Sequence, residues 1–102
     1  MSSEEYAVDE LFSIFGNGRP EVGQAILNVL ADHINNARQK HPTFADGPFQ
    51  ALGVMHQEYH EIEFAIEHES VGRSVYEVFY LAAVLIRFAN NEHKQQANDE
   101  EF

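Results

Sequence analysis

Three glutamates, Glu58, Glu61 and Glu77, are the residues of this chain whose type and spacing could do chemistry. Glu58 and Glu61 are three residues apart, so on a helix they are neighbours on one face. Two adjacent carboxylates repel each other, and a hard cation with oxygen ligands relieves that repulsion. Glu77 follows after fifteen intervening residues and can join the pair if two successive helices run antiparallel. The spacing is therefore that of a candidate site for a hard cation, or of two carboxylates on a solvated face.

A plainer interpretation remains open for each of these glutamates. Further glutamates stand at positions 63, 67 and 69, and such a run is typical of a solvated acidic surface. Glu77 lies among apolar residues, where an ionised carboxylate needs a partner or a metal. Arg73, one helical turn away, could supply that partner as an ion pair.

Two histidines on the same segment, His56 and His60, have the i, i+4 spacing of a helical zinc pair. The metalloprotease motif needs Glu directly after the first His, whereas this chain has Gln57 there. With Glu63 the two histidines could form an adventitious transition-metal site. Surface histidines among glutamates are the commoner case.

The composition excludes several classes of function. Seventeen acidic residues against six basic ones give a net charge of −11, which repels phosphate backbones and argues against nucleic acid as a partner. The absence of cysteine excludes disulfides, thiolate nucleophiles and cysteine-based zinc sites. The N-terminal residues MSSEEYAVDE lack the pattern of a signal peptide, and the longest apolar run, 78–86, is too short to span a bilayer. We expect a cytoplasmic protein without membrane contact.

Helical periodicity predicts the two elements that precede the glutamates. A first helix is expected from Glu4 to Phe15, with apolar residues at three-and-four spacing, and the sequence Gly16-Asn17-Gly18 should end it. A second helix should start at Pro20 and run to Gln39, because His41-Pro42 ends the periodic pattern.

The third and fourth helices must carry the glutamates. After a loop at 41–47, Asp46 is expected to cap a helix that runs from Pro48 to about Glu69. Its predicted core face consists of Phe49, Leu52, Met55, Tyr59, Ile62 and Ile66. The fourth helix should begin at Val71 or Arg73 and end at Asn91. Its stretch VFYLAAVLIRFA contains one charged residue, so it should be buried on most sides, and we expect a subunit interface there.

The sequence resembles the MazG-like all-α nucleoside triphosphate pyrophosphatases over roughly residues 20–91. That family carries ExxE on one helix and ExxD on the next, and all four carboxylates bind magnesium. Glu58-Tyr-His-Glu61 matches the first half, and Glu77-Val-Phe-Tyr80, followed by LAAVLIRF, resembles the second. Tyr80 stands where the family has Asp, and a neutral phenol is a poor substitute for a carboxylate ligand.

The resemblance implies Mg²⁺-dependent hydrolysis of a nucleoside triphosphate to a monophosphate and pyrophosphate. Glu58 and Glu61 would be the catalytic residues, Glu58, Glu61 and Glu77 the metal ligands, and Arg38, Lys40 and Arg73 the side chains that face the triphosphate. Because Tyr80 replaces an acid, the site is expected to be weakened or altered. The alternative is a non-catalytic interaction or regulatory protein on the same scaffold, and an unrelated acidic bundle is a third possibility.

These observations together predict an all-α bundle of about four helices, MazG-like and completed by oligomerisation as a homodimer or homotetramer. A chain of 102 residues buries a limited share of its surface when alone, so partner subunits would help to stabilise it. We expect one domain over residues 1–92 and a polar, disordered tail over residues 93–102.

Overall fold

The structure is a computed structural model that describes residues 3–94, with side chains from residue 7 onward. It contains four helices, α1 (Ser3–Phe15), α2 (Pro20–Lys40), α3 (Pro48–His68) and α4 (Val71–Ala89), and no strand within the described residues. The all-α prediction is confirmed, and each helix end lies within about two residues of its predicted position. None of the helices is long and apolar enough to cross a membrane.

The chain divides into two compact units, and the boundary between them lies inside α2, between residues 32 and 33. In the first unit, α1 ends at the predicted glycine turn. Asn17 and Gly18 adopt the left-handed conformation, with φ of 52° and 83°, which glycine and asparagine tolerate best. A Cβ on Gly16 would collide with the backbone of Arg19, and one on Gly23 would collide with the backbone of Phe12. The tight turn from α1 into α2 therefore requires glycine at both positions.

In the second unit, α3 and α4 pack along each other as a helical hairpin. The connection has only two residues, Glu69 and Ser70, so the helices run antiparallel. Ser70 is the N-cap of α4, and its Oγ accepts a hydrogen bond of 3.0 Å from the amide of Arg73. This bond satisfies one of the free amides of the first turn. The hairpin supplies the antiparallel arrangement that the predicted convergence of Glu58, Glu61 and Glu77 requires.

The prediction that Asp46 caps α3 is wrong. The cap is Gly47, with φ of 109° and no hydrogen bond from a side chain. Asp46 instead donates its backbone amide to Oε1 of Gln50 at 2.5 Å. The helix starts at Pro48 as predicted, but its cap lies one residue after Asp46, because Gly47 can adopt a positive φ and Pro48 then fits the first turn.

The predicted core face of α3 is also wrong in part. Phe49 is 88% exposed and Ile66 is 62% exposed, and Leu52 and Tyr59 are exposed as well. The buried residues of this helix are Ala51 and Ala65. They lie fourteen residues apart, with Glu58 midway between them, so all three fall on one stripe of the helix. This stripe therefore carries two alanines and a carboxylate, and none of the exposed large side chains predicted for the core.

An apolar stripe remains on the outer side of α4. Val71, Val75, Val78 and Leu85 are each between 46% and 74% exposed. Three of these positions, 71, 78 and 85, are spaced by seven residues, as in the seam of a coiled coil. Within the described residues no large side chain is fully buried. We refer to these four residues as the outer α4 stripe.

Residues 90–94 form a turn after α4, the C-terminal turn, and residues 41–47 form the α2–α3 loop. The tail predicted for residues 93–102 lies mostly outside the described residues. Of its two described members, His93 is buried at 5% exposure and Lys94 is half-buried.

Candidate metal centre

The α3–α4 hairpin brings Glu58, Glu61 and Glu77 together. One carboxylate oxygen from each lies within 4.8 Å of the others. Glu77 is 6% exposed, Glu58 is half-buried and Glu61 is exposed, so the cluster opens from the hairpin seam toward solvent. In the described part of the chain, no other group of three or more histidine, aspartate or glutamate side chains converges in this way. The predicted convergence of these glutamates is therefore present.

The electrostatics of the cluster show uncompensated negative charge. Burial raises the pKa of Glu58, and the charges of Glu61 and Glu77 raise it further. Burial likewise raises the pKa of Glu61, with the charge of Glu77 and a hydrogen bond to it adding to the effect and Arg73 opposing it. Both carboxyl groups therefore hold a proton more readily than a free glutamate does, because like charges in a partly desolvated place disfavour ionisation.

Arg73 occupies the place that the ion-pair interpretation assigned to it. Its Nη2 lies 2.8 Å from Oε1 of Glu77, and its Nε lies 3.5 Å from Oε2 of Glu69. The guanidinium also stands over the ring of Tyr76, 5.0 Å from the ring centroid. A carboxylate has two oxygens and several lone pairs, so this one contact leaves Glu77 able to bind a cation.

Tyr80, one turn after Glu77, presents a neutral phenol beside the cluster. Its hydroxyl forms a hydrogen bond of 3.2 Å with that of Tyr76. This bond raises the pKa of Tyr80, and burial and the charge of Glu77 act in the same direction. The phenol therefore stays protonated at neutral pH and can take part in hydrogen bonds, but it adds no negative charge for a cation.

Sequence reasoning missed His33, which lies on α2 and contacts the same side of α4. Its ring centroid is 4.7 Å from that of Tyr80 and 5.5 Å from that of Tyr76, both edge to face, and 5.7 Å from that of Phe79 in a stacked arrangement. A single histidine on an amphipathic helix gives no local signal for such a contact, because His33 and the rings of α4 are more than forty residues apart in the sequence.

Of the three basic residues predicted to face a triphosphate, Arg73 alone is found at the cluster. Arg38 directs Nε and Nη2 at the carboxylate of Glu92, at 2.9 and 2.7 Å. Glu92 also accepts a hydrogen bond from Arg87. Arg87 lies ten residues after Glu77 on α4, about 15 Å farther along the helix axis, so Arg38 is bound at a place well away from the glutamate cluster. Lys40 is exposed at the last residue of α2.

The second candidate metal site does not form as a three-ligand group within the described residues. His60 Nδ1 lies 3.1 Å from Oε1 of Glu63, and both side chains are largely solvent-accessible. His56 is exposed one turn earlier. This is the arrangement of a surface histidine beside a glutamate.

Comparison with protein-family models finds no match, and neither does comparison with curated proteins or with solved structures. The resemblance to MazG-like pyrophosphatases therefore rests on the residues of this chain, and it stays a prediction.

The donor set suits a hard divalent cation. Mg²⁺ binds oxygen at about 2.0–2.1 Å, so two of its ligands lie at most about 4.2 Å apart. The oxygens of the cluster are within 4.8 Å of one another, a difference that small side-chain rotations can remove. When all groups are ionised, three carboxylates and Arg73 sum to a charge of −2. One divalent cation balances that charge.

Proposed function

We propose that this protein is a magnesium-dependent nucleotide pyrophosphohydrolase of the MazG-like type, with a site altered by Tyr80. The observation that carries the proposal is the convergence of Glu58, Glu61 and Glu77 from two antiparallel helices onto one place. Carboxylates so arranged hold a divalent cation, and a cation beside an open surface suits the polyanionic phosphates of a nucleotide. The substrate class and the MazG-like type follow from the sequence resemblance.

The chain's own side chains have distinct parts in the proposed reaction. A bound Mg²⁺ supplies charge stabilisation at the phosphoryl oxygens. Glu61 is the exposed member of the cluster, so it is the carboxylate that would meet the attacking water and accept its proton. Water then adds to phosphorus as the oxygen that bridges the α and β phosphates leaves. Arg73 is the positive side chain placed to hold the released pyrophosphate.

We further propose that the active form is a homodimer or homotetramer built through the outer α4 stripe. Half-exposed valine and leucine side chains at heptad spacing are energetically costly in water and suit packing against a second helix. A second copy of the chain carries the same stripe, and most soluble oligomers are homo-oligomers with closed symmetry. The cytoplasm stays the expected location.

A second candidate function is a non-catalytic interaction or regulatory protein on this scaffold. The contact between Arg73 and Glu77 favours it, because an arginine at 2.8 Å neutralises part of the cluster without a metal. Tyr80 favours it as well, since its neutral phenol stands one turn from Glu77 and provides no ligand charge. In that case the outer α4 stripe would serve a partner protein.

The test is an assay of pyrophosphate release from a panel of nucleoside triphosphates with Mg²⁺ or Mn²⁺. The variants are Glu61→Gln, which removes a ligand, and Tyr80→Asp, which adds one. Glu67→Gln is the matched control, because it removes the same charge from an exposed position on the same helix. We expect turnover in the wild type and in Glu67→Gln, none in Glu61→Gln, and an increase in Tyr80→Asp.

The two functions give different results in this assay. Turnover that appears only in Tyr80→Asp would support the non-catalytic protein, because the scaffold would then lack one acid. Silence in every variant, with Tyr80→Asp correctly folded by circular dichroism, would overturn the pyrophosphohydrolase.

A further inference from the structure

The C-terminal turn is fastened to the α2–α3 loop by two backbone hydrogen bonds. The amide of Phe44 donates to the carbonyl of Glu92 at 3.2 Å, and the amide of Gly47 donates to the carbonyl of His93 at 2.7 Å. These bonds join two segments nearly fifty residues apart in the sequence, neither of which is helical. The loop and the turn therefore satisfy backbone groups of each other that no helix or strand satisfies.

The carboxylate of Glu92 is the charged centre of this junction. It accepts hydrogen bonds from Arg38, at 2.9 and 2.7 Å, and from Nε of Arg87 at 2.8 Å. Arg87 is 2% exposed, and its Nη2 donates to the carbonyl oxygens of His41 and Pro42. A buried guanidinium needs a carboxylate, so loss of the charge on Glu92 would leave Arg87 without its counter-ion and weaken both segments together.

His93 is the weak element of the same junction. Its ring stacks on Phe88 with a centroid distance of 4.2 Å and meets the ring of Phe44 edge-on at 6.2 Å. The side chain is buried, yet its Nδ1 has no hydrogen-bond partner among the described residues. An unsatisfied polar atom in the closed state opposes closure, because opening would let water bind it.

We propose that the C-terminal turn and the α2–α3 loop form a clasp that opens and closes as one unit while the α3–α4 hairpin stays folded. Glu92 holds the clasp closed, and His93 keeps it easy to open. The contacts that fasten it are two backbone bonds, the hydrogen bonds that Glu92 and Arg87 make, and the ring contacts of His93, whereas the hairpin is held along the length of both of its helices. Segments with few fastening contacts open locally at lower free energy than packed helices do. The clasp does not depend on the proposed enzymatic function.

The test is amide hydrogen exchange, read at the amides of Phe44 and Gly47 and, for the hairpin, at that of Glu69, which bonds the carbonyl of Ala65. In Glu92→Gln we expect exchange at the two clasp amides to quicken by about tenfold or more, because hydrogen bonds to charged groups contribute strongly. In His93→Phe we expect slower exchange, because phenylalanine keeps the stack and removes the unsatisfied nitrogen. Exchange at Glu69 should match the wild type in both variants.

A clasp predicts opposite effects of the two variants at the amides of Phe44 and Gly47, with no change at the amide of Glu69. Unchanged exchange at Phe44 and Gly47 in Glu92→Gln would overturn the role of the carboxylate. Faster exchange in His93→Phe would show that His93 stabilises the junction and would overturn the proposed balance. Equal acceleration at the amide of Glu69 would mean that the whole unit unfolds, which also contradicts a clasp. Glu67→Gln controls for the loss of one negative charge.

Discussion

Glu77 is a buried acid that contacts an arginine and lies beside two further carboxylates. An acid among apolar neighbours predicts burial with a partner, and the side chain is indeed 6% exposed and paired with Arg73. The sequence left open whether that partner is an arginine or a metal, because both satisfy a buried carboxylate. The structure places the arginine and also brings Glu58 and Glu61 to the same place, so the two interpretations coexist in one site.

Replacement of Glu58 by Gln should stabilise the metal-free protein. The raised pKa of Glu58 comes from burial and from the neighbouring carboxylates, so a neutral amide relieves both costs. Like-charge neighbours on a helix destabilise by about 0.2–0.5 kcal/mol, and a gain of that order should raise the melting temperature by about 1–4 °C. Thermal denaturation in a chelator measures it. A lower melting temperature would show that the ionised carboxylate stabilises the fold.

The pH dependence of stability should show two opposite contributions. Raised pKa values mean that the folded state binds protons more tightly at Glu58 and Glu61, so stability rises as the pH falls from neutral toward the ordinary glutamate value near 4.5. The pKa of Glu92 is lowered by hydrogen bonds from Arg38 and Arg87. Ionised Glu92 therefore stabilises the folded state above about pH 4.5, and this stabilisation is lost as the pH falls through the lowered pKa of Glu92 in the folded state.

Two variants separate these contributions in melting curves recorded across the acid range in a chelator. In the wild type the melting temperature should rise on mild acidification and fall at lower pH. Glu61→Gln should show a smaller rise, and Glu92→Gln should show a smaller fall. If both variants instead follow the wild-type curve at a constant offset, neither carboxylate titrates as described.

At the scale of helices, periodicity and turn chemistry predict most of the architecture. Glycine, asparagine and proline mark where α1 ends and α2 begins, and the short connection at Ser70 sets the hairpin. The apolar stripe of α3 nevertheless indicated the buried face only in part. Phe49 and Ile66 are exposed and Met55 and Ile62 are half-buried, whereas the buried residues of α3 are Ala51 and Ala65. Periodicity reports where the apolar residues lie, but it does not say which stripe packs inside the chain and which one is left for another surface.

Two glycine-to-alanine substitutions compare a position of close backbone approach, Gly23, with an open helical position, Gly53. Gly23→Ala should destabilise the first unit strongly, because the added Cβ would collide with the backbone of Phe12. Gly53→Ala should stabilise α3 by about 0.5–1 kcal/mol, since its Cβ would meet nothing within 4 Å and alanine favours a helix. Urea unfolding followed by circular dichroism measures both changes. Equal effects of the two substitutions would contradict the close approach at Gly23.

For the molecule as a whole, composition predicted the small buried core but not its makeup. The buried apolar residues within the described range are four alanines, whereas the large side chains that the sequence offered for a core are partly exposed. The apolar sequence of α4 led to the expectation of a subunit interface, which stays a prediction; the structure leaves the outer α4 stripe exposed. The positions of Arg38 and Glu92 could not be predicted, because the two residues are 54 positions apart in the sequence.

Assembly through the outer α4 stripe should depend on its apolar side chains. Leu85→Lys should lower the average mass in sedimentation, because a charge cannot be buried at the seam without a partner. Gln24→Lys, an exposed position on α2, adds the same charge and should leave the mass unchanged. A monomeric wild type at all concentrations, or a loss of mass in both variants, would contradict an interface at this stripe.

Titration of Mn²⁺ by calorimetry measures whether Glu58, Glu61 and Glu77 bind a divalent cation. We expect one ion per chain in the wild type and in Glu67→Gln, and loss of that binding in Glu61→Gln. Absence of binding in the wild type, or binding that survives in Glu61→Gln as it does in Glu67→Gln, would show that the three carboxylates are a solvated acidic cluster and not a cation site.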